Sequence, residues 1–129
     1  MLRIYELGTL FVRGSAEDPV VFDSVSTSPK PCDWQGLRFL CCSHELRHLE
    51  IRNAGKNAQY RNADIVAGEE GTTVTLENVK LLNGANWGIL VEDKIATISF
   101  GPDTYIDPHP LGPFATYSFQ ITTNTAASR

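Results

Sequence analysis

The feature that most restricts this chain is a set of apolar couplets, two hydrophobic residues separated by one, that return about every two dozen residues. Leu10/Val12, Leu37/Phe39, Ile65/Ala67 and Ile89/Val91 form one series, with steps of 27, 28 and 24. Val20/Phe22, Leu49/Ile51, Val74/Leu76 and Ile98/Phe100 form a second, with steps of 29, 25 and 24. A spacing of two within each couplet is the period of a strand that turns alternate side chains to one face. The runs that carry the couplets are short and separated by Gly, Pro, Asn and Asp, as strands bounded by turns are. The two series alternate along the chain. A strand pattern returning at this period describes a backbone that coils and stacks equivalent strands in parallel, each coil burying its apolar face on the next.

The chain therefore reads as all-β, a parallel β-helix of about four coils in which residues 1–129 make one domain. Ser24, Asn53 and Asn78 follow the second series at one offset, where stacked polar turn residues can hydrogen-bond between coils. Gly36, Asp64 and Gly88 precede the first series at one offset, where the chain bends into the strand. A third, weaker strand per coil is expected at Val79/Leu81 and Asp103/Tyr105. Residues 1–8 are expected to cap one end. Residues 101–129 should supply a loop and then a C-terminal capping or covering strand.

The stretches Gly8–Ser24, Asp33–Phe39 and Leu46–Gly55 resemble right-handed parallel β-helix repeat proteins of bacteria, the pectin-lyase-like class, and the resemblance covers roughly residues 8–106. It implies a right-handed coil. The class includes polysaccharide lyases and hydrolases as well as cell-surface proteins without assigned chemistry, so it implies a fold and is nearly silent on activity. It points outside the cell, although no basic n-region followed by an apolar h-region opens this sequence, and the compartment stays open.

Eleven basic against 15 acidic side chains give a net charge of −4, which disfavours a partner bound through a phosphate backbone, and nucleic acid is not expected. No run approaches the roughly 18 apolar residues of a membrane span, so no membrane partner is expected. Cys32, Cys41 and Cys42 are an odd set with two neighbours adjacent, which reads as reduced thiols and not as a disulfide framework.

Residues 44–48 match H-E-x-x-H, with His44 and His48 as zinc ligands, Glu45 as the base that activates water, and Glu69 as a further carboxylate. That chemistry needs a helix, so that both imidazoles share one face. Here Leu49/Ile51/Asn53 fall into register with Val74/Leu76/Asn78 as strands, which separates Glu45 from the two histidines. A zinc hydrolase is the distant alternative, and a structural site from Cys41, Cys42, His44 and His48 is weaker still. No metal or cofactor is expected. His109, between two prolines, reads as a solvated loop residue.

A polysaccharide lyase or hydrolase on this fold needs clustered carboxylates projecting from stacked strands. Of the outward positions Val21, Glu50, Thr75 and Ser99, only Glu50 is acidic. No catalytic residue is assigned. Arg38, Glu50, Arg52, Asp64 and Glu77 are the nearest approach to a polar binding cluster, and they read equally as an ion-paired solvated surface. Trp34 and Trp87 are candidates for sugar stacking or for packing at a coil corner. Outward positions of the first series, Phe11, Arg38, Val66 and Leu90, are mostly apolar, and apolar faces of this kind are covered or become interfaces. Phe11, Val66 and Leu90 are the expected interface. The cover is either the stretch Phe114–Thr122 or a second copy, and a homo-oligomer joined by a strand edge, a coil end or this stripe is expected. The functional reading is a non-catalytic structural or interaction-mediating module that recognises carbohydrate, with a carbohydrate-active enzyme as the alternative.

Overall fold

A computed structural model describes residues 2–4, 8–56, 63–68, 71–92, 96–116 and 120–123. Among them the chain forms strands and no helix. One parallel sheet stacks β1 (Leu2–Ile4), β4 (Leu37–Phe39), β6 (Ala63–Ala67), β8 (Trp87–Val91) and β11 (Gly112–Thr116) in that order. The other contains β2 (Phe11–Arg13), β3 (Val20–Phe22), β5 (Ser43–Arg52), β7 (Thr73–Leu82), β9 (Thr97–Phe100), β10 (Tyr105–Ile106) and β12 (Gln120–Thr123). Strands β5 and β7 are double-length. Their first halves lie in a column with β2, β9 and β12, and their second halves with β3 and β10.

The break between the halves is a corner at which the backbone turns left-handed, at His48 (φ 50°) in β5 and Asn78 (φ 53°) in β7, with Asp103 (φ 57°) between β9 and β10. Asn, Asp and His are the non-glycine residues most tolerant of this region, which explains their presence at equivalent corners. Each coil thus has three strand segments, and the whole is a parallel β-solenoid of about three turns. Its interior is a continuous column: Leu37, Phe39, Ile65, Ala67, Ile89 and Val91 from one side, Leu46, Val74, Leu76, Ile98 and Phe100 from the second, and Leu49, Ile51, Val79, Leu81 and Ile106 from the third, all buried. At roughly 25 cal/mol per Å² of apolar surface removed from water, this shared core is the main force holding successive coils together.

The third segment is as well formed as the others, and it changes the register. Leu49/Ile51 pair with Val79/Leu81, while Val74/Leu76 pair with Ile98/Phe100 and, on the other side, with His44/Leu46. The second apolar series is therefore two columns joined end to end. Similarly, Val12 pairs with Leu46, and β1 takes the place beside Leu37 that Leu10/Val12 was expected to hold. Turns of unequal length let one couplet alternate with another at the same spacing, and burial decides between them. In the third column the inward residue near the C-terminal end is Ile106, and Tyr105 faces solvent. The offset of Gly36, Asp64 and Gly88 holds, because Leu37, Ile65 and Ile89 are in register.

At the next corner a side-chain ladder runs along the solenoid. Asn83 Nδ2 donates to Asn53 Oδ1 (2.6 Å), Asn53 Nδ2 donates to Asp23 Oδ1 (2.8 Å), and Asp107 Oδ2 accepts from the Asn83 backbone N–H (2.8 Å). Asn53 and Asn83 are again left-handed. Asp23, not Ser24, is the ladder residue of the first coil, and Asn78 belongs to the other corner.

Strands β11 and β12 extend both sheets by a further layer. The outward stripe of the first sheet is covered within the chain: Val66 and Leu90 are 0% and 3% exposed and form a second apolar cluster with Ala63, packed by Trp87 and Ala115. Cys41 and Cys42, expected as free thiols, are joined in a disulfide at the turn from β4 into β5, and Cys32 is free and exposed. Adjacency in sequence brings the two sulfurs together without any need for a loop-closing framework.

Candidate functional site

Beside the His48/Asn78 corner the outer surface is hollowed into a groove of about 170 Å³, lined by Ser15, Ala16, Pro19, His48, Glu50, Asn78 and Lys80. The corner makes the floor: after the left-handed residue the outward side chains of the third segment, Glu50 and its cross-strand neighbour Lys80, face the same side. The wall is the loop from β2 to β3. It is closed by reciprocal backbone hydrogen bonds between Ser15 and Asp18 (3.2 Å each) and pinned to the corner by Gly14 N–H donating to Arg47 O (3.0 Å). Gly14 lies so close that a Cβ there would stand 2.4 Å from His48 O, so the loop reaches the corner only without a side chain.

The groove offers a hydroxyl, an imidazole, an amide, a carboxylate and an ammonium, donors and acceptors in one place. Glu50 is oriented by Arg52, whose Nε and Nη2 donate to its Oε1 at 3.0 and 2.5 Å. Lys80 is exposed and forms no ion pair among the described residues. A pair of carboxylates flanking a bound sugar, as glycoside hydrolysis requires, does not line the groove, because Glu50 is its one acidic residue.

Of the five residues expected to form a polar cluster, Glu50 and Arg52 are brought together at the groove. Glu77 lies in the neighbouring column, where Arg47 bridges it (3.4 Å) and Glu45 (3.1 Å). Arg38 is on the other sheet, paired with Glu92 at 3.5 Å, and Asp64 is buried against His109. The five do not form one site. Phe11 is 55% exposed, on a different sheet from Val66 and Leu90, so the three expected interface residues also separate.

The strand turns Glu45 away from His44 as expected, but His48, expected on the face of His44, is turned outward by the left-handed corner that it occupies. His44 points into the core, in register with Val74, and its ring lies 4.5 Å from that of Phe39. Its Nδ1 accepts from Leu10 N–H (3.1 Å), so the proton is on Nε2, which donates to Cys41 O. Burial pushes the His44 pKa down. Glu45 faces out to Arg47, and His48 lines the groove. Among the described residues no group of three or more His, Cys, Asp and Glu is arranged to hold a metal ion; Glu69 lies outside the described residues. Trp34 packs at the corner as one of its two readings had it, donating from Nε1 to Arg52 O (2.7 Å).

His48, Lys80, Ser15 and Asn78 are groove residues that the couplets alone do not single out. Aligning His48 with Asn78 and Asp103 as equivalent turn residues is the signal that finds the corner. No family model matches the chain, and no curated protein or solved structure matches it.

Proposed function

We propose that this chain is a non-catalytic β-solenoid module that mediates interaction by recognising carbohydrate in the groove beside the His48/Asn78 corner. The observation that carries the reading is the groove itself: hydrogen-bond donors and acceptors set in a largely apolar hollow of about 170 Å³ beside a parallel sheet. Membership of the right-handed, pectin-lyase-like β-helices of bacteria is part of the same proposal, supported by the stacked parallel coils. Titrating ¹⁵N-labelled protein with oligosaccharide fragments of neutral and acidic polysaccharides tests it. Saturable shifts confined to Ser15, His48, Glu50, Asn78 and Lys80 are expected. Uniformly unperturbed spectra at millimolar sugar overturn it, and the appearance of shortened products moves the assignment to an enzyme.

The module is further proposed to self-associate through its first coil, where Phe11 and Val21 are exposed and Val21, Phe22 and Trp34 line a second hollow. Light scattering at micromolar concentration that returns only the monomer mass removes this part.

A further inference from the structure

Near the C-terminal end the solenoid contains a buried ionic cluster that the groove does not use. His109, in the loop from β10 to β11, and Asp64, in β6, are both fully buried, with His109 Nε2 2.8 Å from Asp64 Oδ2. The other ring nitrogen, Nδ1, lies 2.8 Å from Asp107 O and 3.1 Å from Asp107 Oδ1. The backbone of the intervening coil makes room for this, since a Cβ on Gly84 would stand 2.3 Å from His109 Nε2. The ring therefore reaches past one coil to bind the coil before it.

Proton positions follow from the partners. A carbonyl only accepts, so Nδ1 carries hydrogen. Nε2 and the Asp64 carboxylate then hold one further proton between them, as an imidazolium–carboxylate pair or as its neutral equivalent. Among the described residues, Asp64 and Asp107 are the charged groups that face the ring. Although burial opposes the charged imidazole, hydrogen bonding to Asp64 and to the Asp107 carbonyl together with both carboxylates pushes the His109 pKa up; burial likewise pushes Asp64 up. Both directions keep a proton on the pair.

We infer that Asp64, His109 and Asp107 form a proton-operated staple that fixes the return from β10 to β11 against the two preceding coils and releases that return locally when the shared proton leaves. Without the proton, Nε2 and Asp64 present lone pairs to each other where both side chains are fully buried, a repulsion the loop relieves by detaching. Among the described residues the loop's other ties to earlier coils are Asp107 N–H to Leu81 O and Leu111 N–H to Asn86 O, both 3.1 Å, and Asn83 N–H to Asp107 Oδ2, 2.8 Å. The core strands beneath keep their full ladders. His109 gains proton affinity on folding, so the staple's contribution is complete below about pH 6.5 and is lost as pH rises through the raised value.

Hydrogen exchange of the intact chain, corrected for intrinsic rates, tests this between pH 6 and pH 8.5, with the His109 ring nitrogens followed by NMR. Protection of the Asp107, Leu111 and Gly112 amides is expected to fall at least tenfold as the ring deprotonates, while Leu46 and Leu76 keep theirs. In Asp64→Asn, where the amide donates to a neutral Nε2, the change across the same range is expected to shrink below twofold. Constant protection of the loop, or loss shared equally by Leu46 and Leu76, overturns the inference. If Asp64→Asn fails to fold, the wild-type titration decides alone.

Discussion

Gly84→Ala isolates the space that Gly84 leaves for the buried pair. The added methyl would lie 2.3 and 2.5 Å from His109 Nε2 and Cδ2 and 2.6 Å from Asp64 Oδ1, about an ångström inside ordinary contact. The imidazole has to retreat by that amount, and the 2.8 Å hydrogen bond to Asp64 does not survive it. A buried carboxylate deprived of its partner costs about 3–5 kcal/mol. No left-handed penalty adds to this, because Gly84 is not left-handed, and the gain of about 0.4–1 kcal/mol that Gly→Ala brings on an unstrained backbone offsets only a small part of the loss. The control is Gly71→Ala. Gly71 sits at φ +79° with nothing within 4 Å of its added Cβ, so that change carries only the left-handed penalty of about 1–2 kcal/mol. Equilibrium urea unfolding of both variants is expected to place Gly84→Ala well below Gly71→Ala at unchanged slope. In an Asp64→Asn background the Gly84→Ala loss should shrink, since the two changes act on one contact. A loss from Gly84→Ala under about 1 kcal/mol, or one smaller than that of Gly71→Ala, would refute the reasoning.

The second buried histidine responds to pH in the opposite sense. His44 must be neutral to accept from Leu10 N–H and its pKa is lowered in the fold, so stability should be full above about pH 6.5 and decline as pH falls below it; urea midpoints that stay flat from pH 7 to pH 5 would contradict this. Leu76→Ala, at a fully buried position in the middle of the column, is expected to cost about 2–5 kcal/mol in the same assay. Arg47→Ala, which removes an exposed bridge to Glu45 and Glu77, is expected to cost less than about 1 kcal/mol. Alkylation under non-reducing denaturing conditions is expected to label Cys32 alone, and all three cysteines after reduction, with mass spectrometry counting the adducts.

The architecture was legible because a solenoid repeats its instructions. Leu37/Phe39, Ile65/Ala67 and Ile89/Val91 stand in the column their spacing assigns, and residues 44–48 are strand, as expected, although it is His44 and Leu46, not Leu49 and Ile51, that pair with Val74 and Leu76. Register was harder to read. Val20/Phe22 and Val74/Leu76 have the same chemistry, and only the corner residues tell that they belong to different columns. The polar cluster was misread for a related reason: strand periodicity says whether a side chain points out, but not which of three faces it points from, and Arg38 and Glu50 are on different ones. His109 looked like a solvated loop residue because its prolines suggest a turn. Its partner Asp64 is 45 positions away, and the missing Gly84 side chain that joins them is visible only once the coils are stacked.

The amide chain from Asn83 through Asn53 to Asp23 has a direction, since each link donates toward the N-terminal coil. Aspartates close it at both extremes, and a carboxylate can receive a hydrogen but has none to pass on. Such a chain is terminated in the way a polymer is by end groups. A duplicated coil that supplies an asparagine at this position lengthens the rod and keeps every link made. One that supplies an aspartate stops the relay there and, where it falls beside Asp23 or Asp107, sets two anions side by side, so the identity of this single residue governs which turns can be spliced in succession.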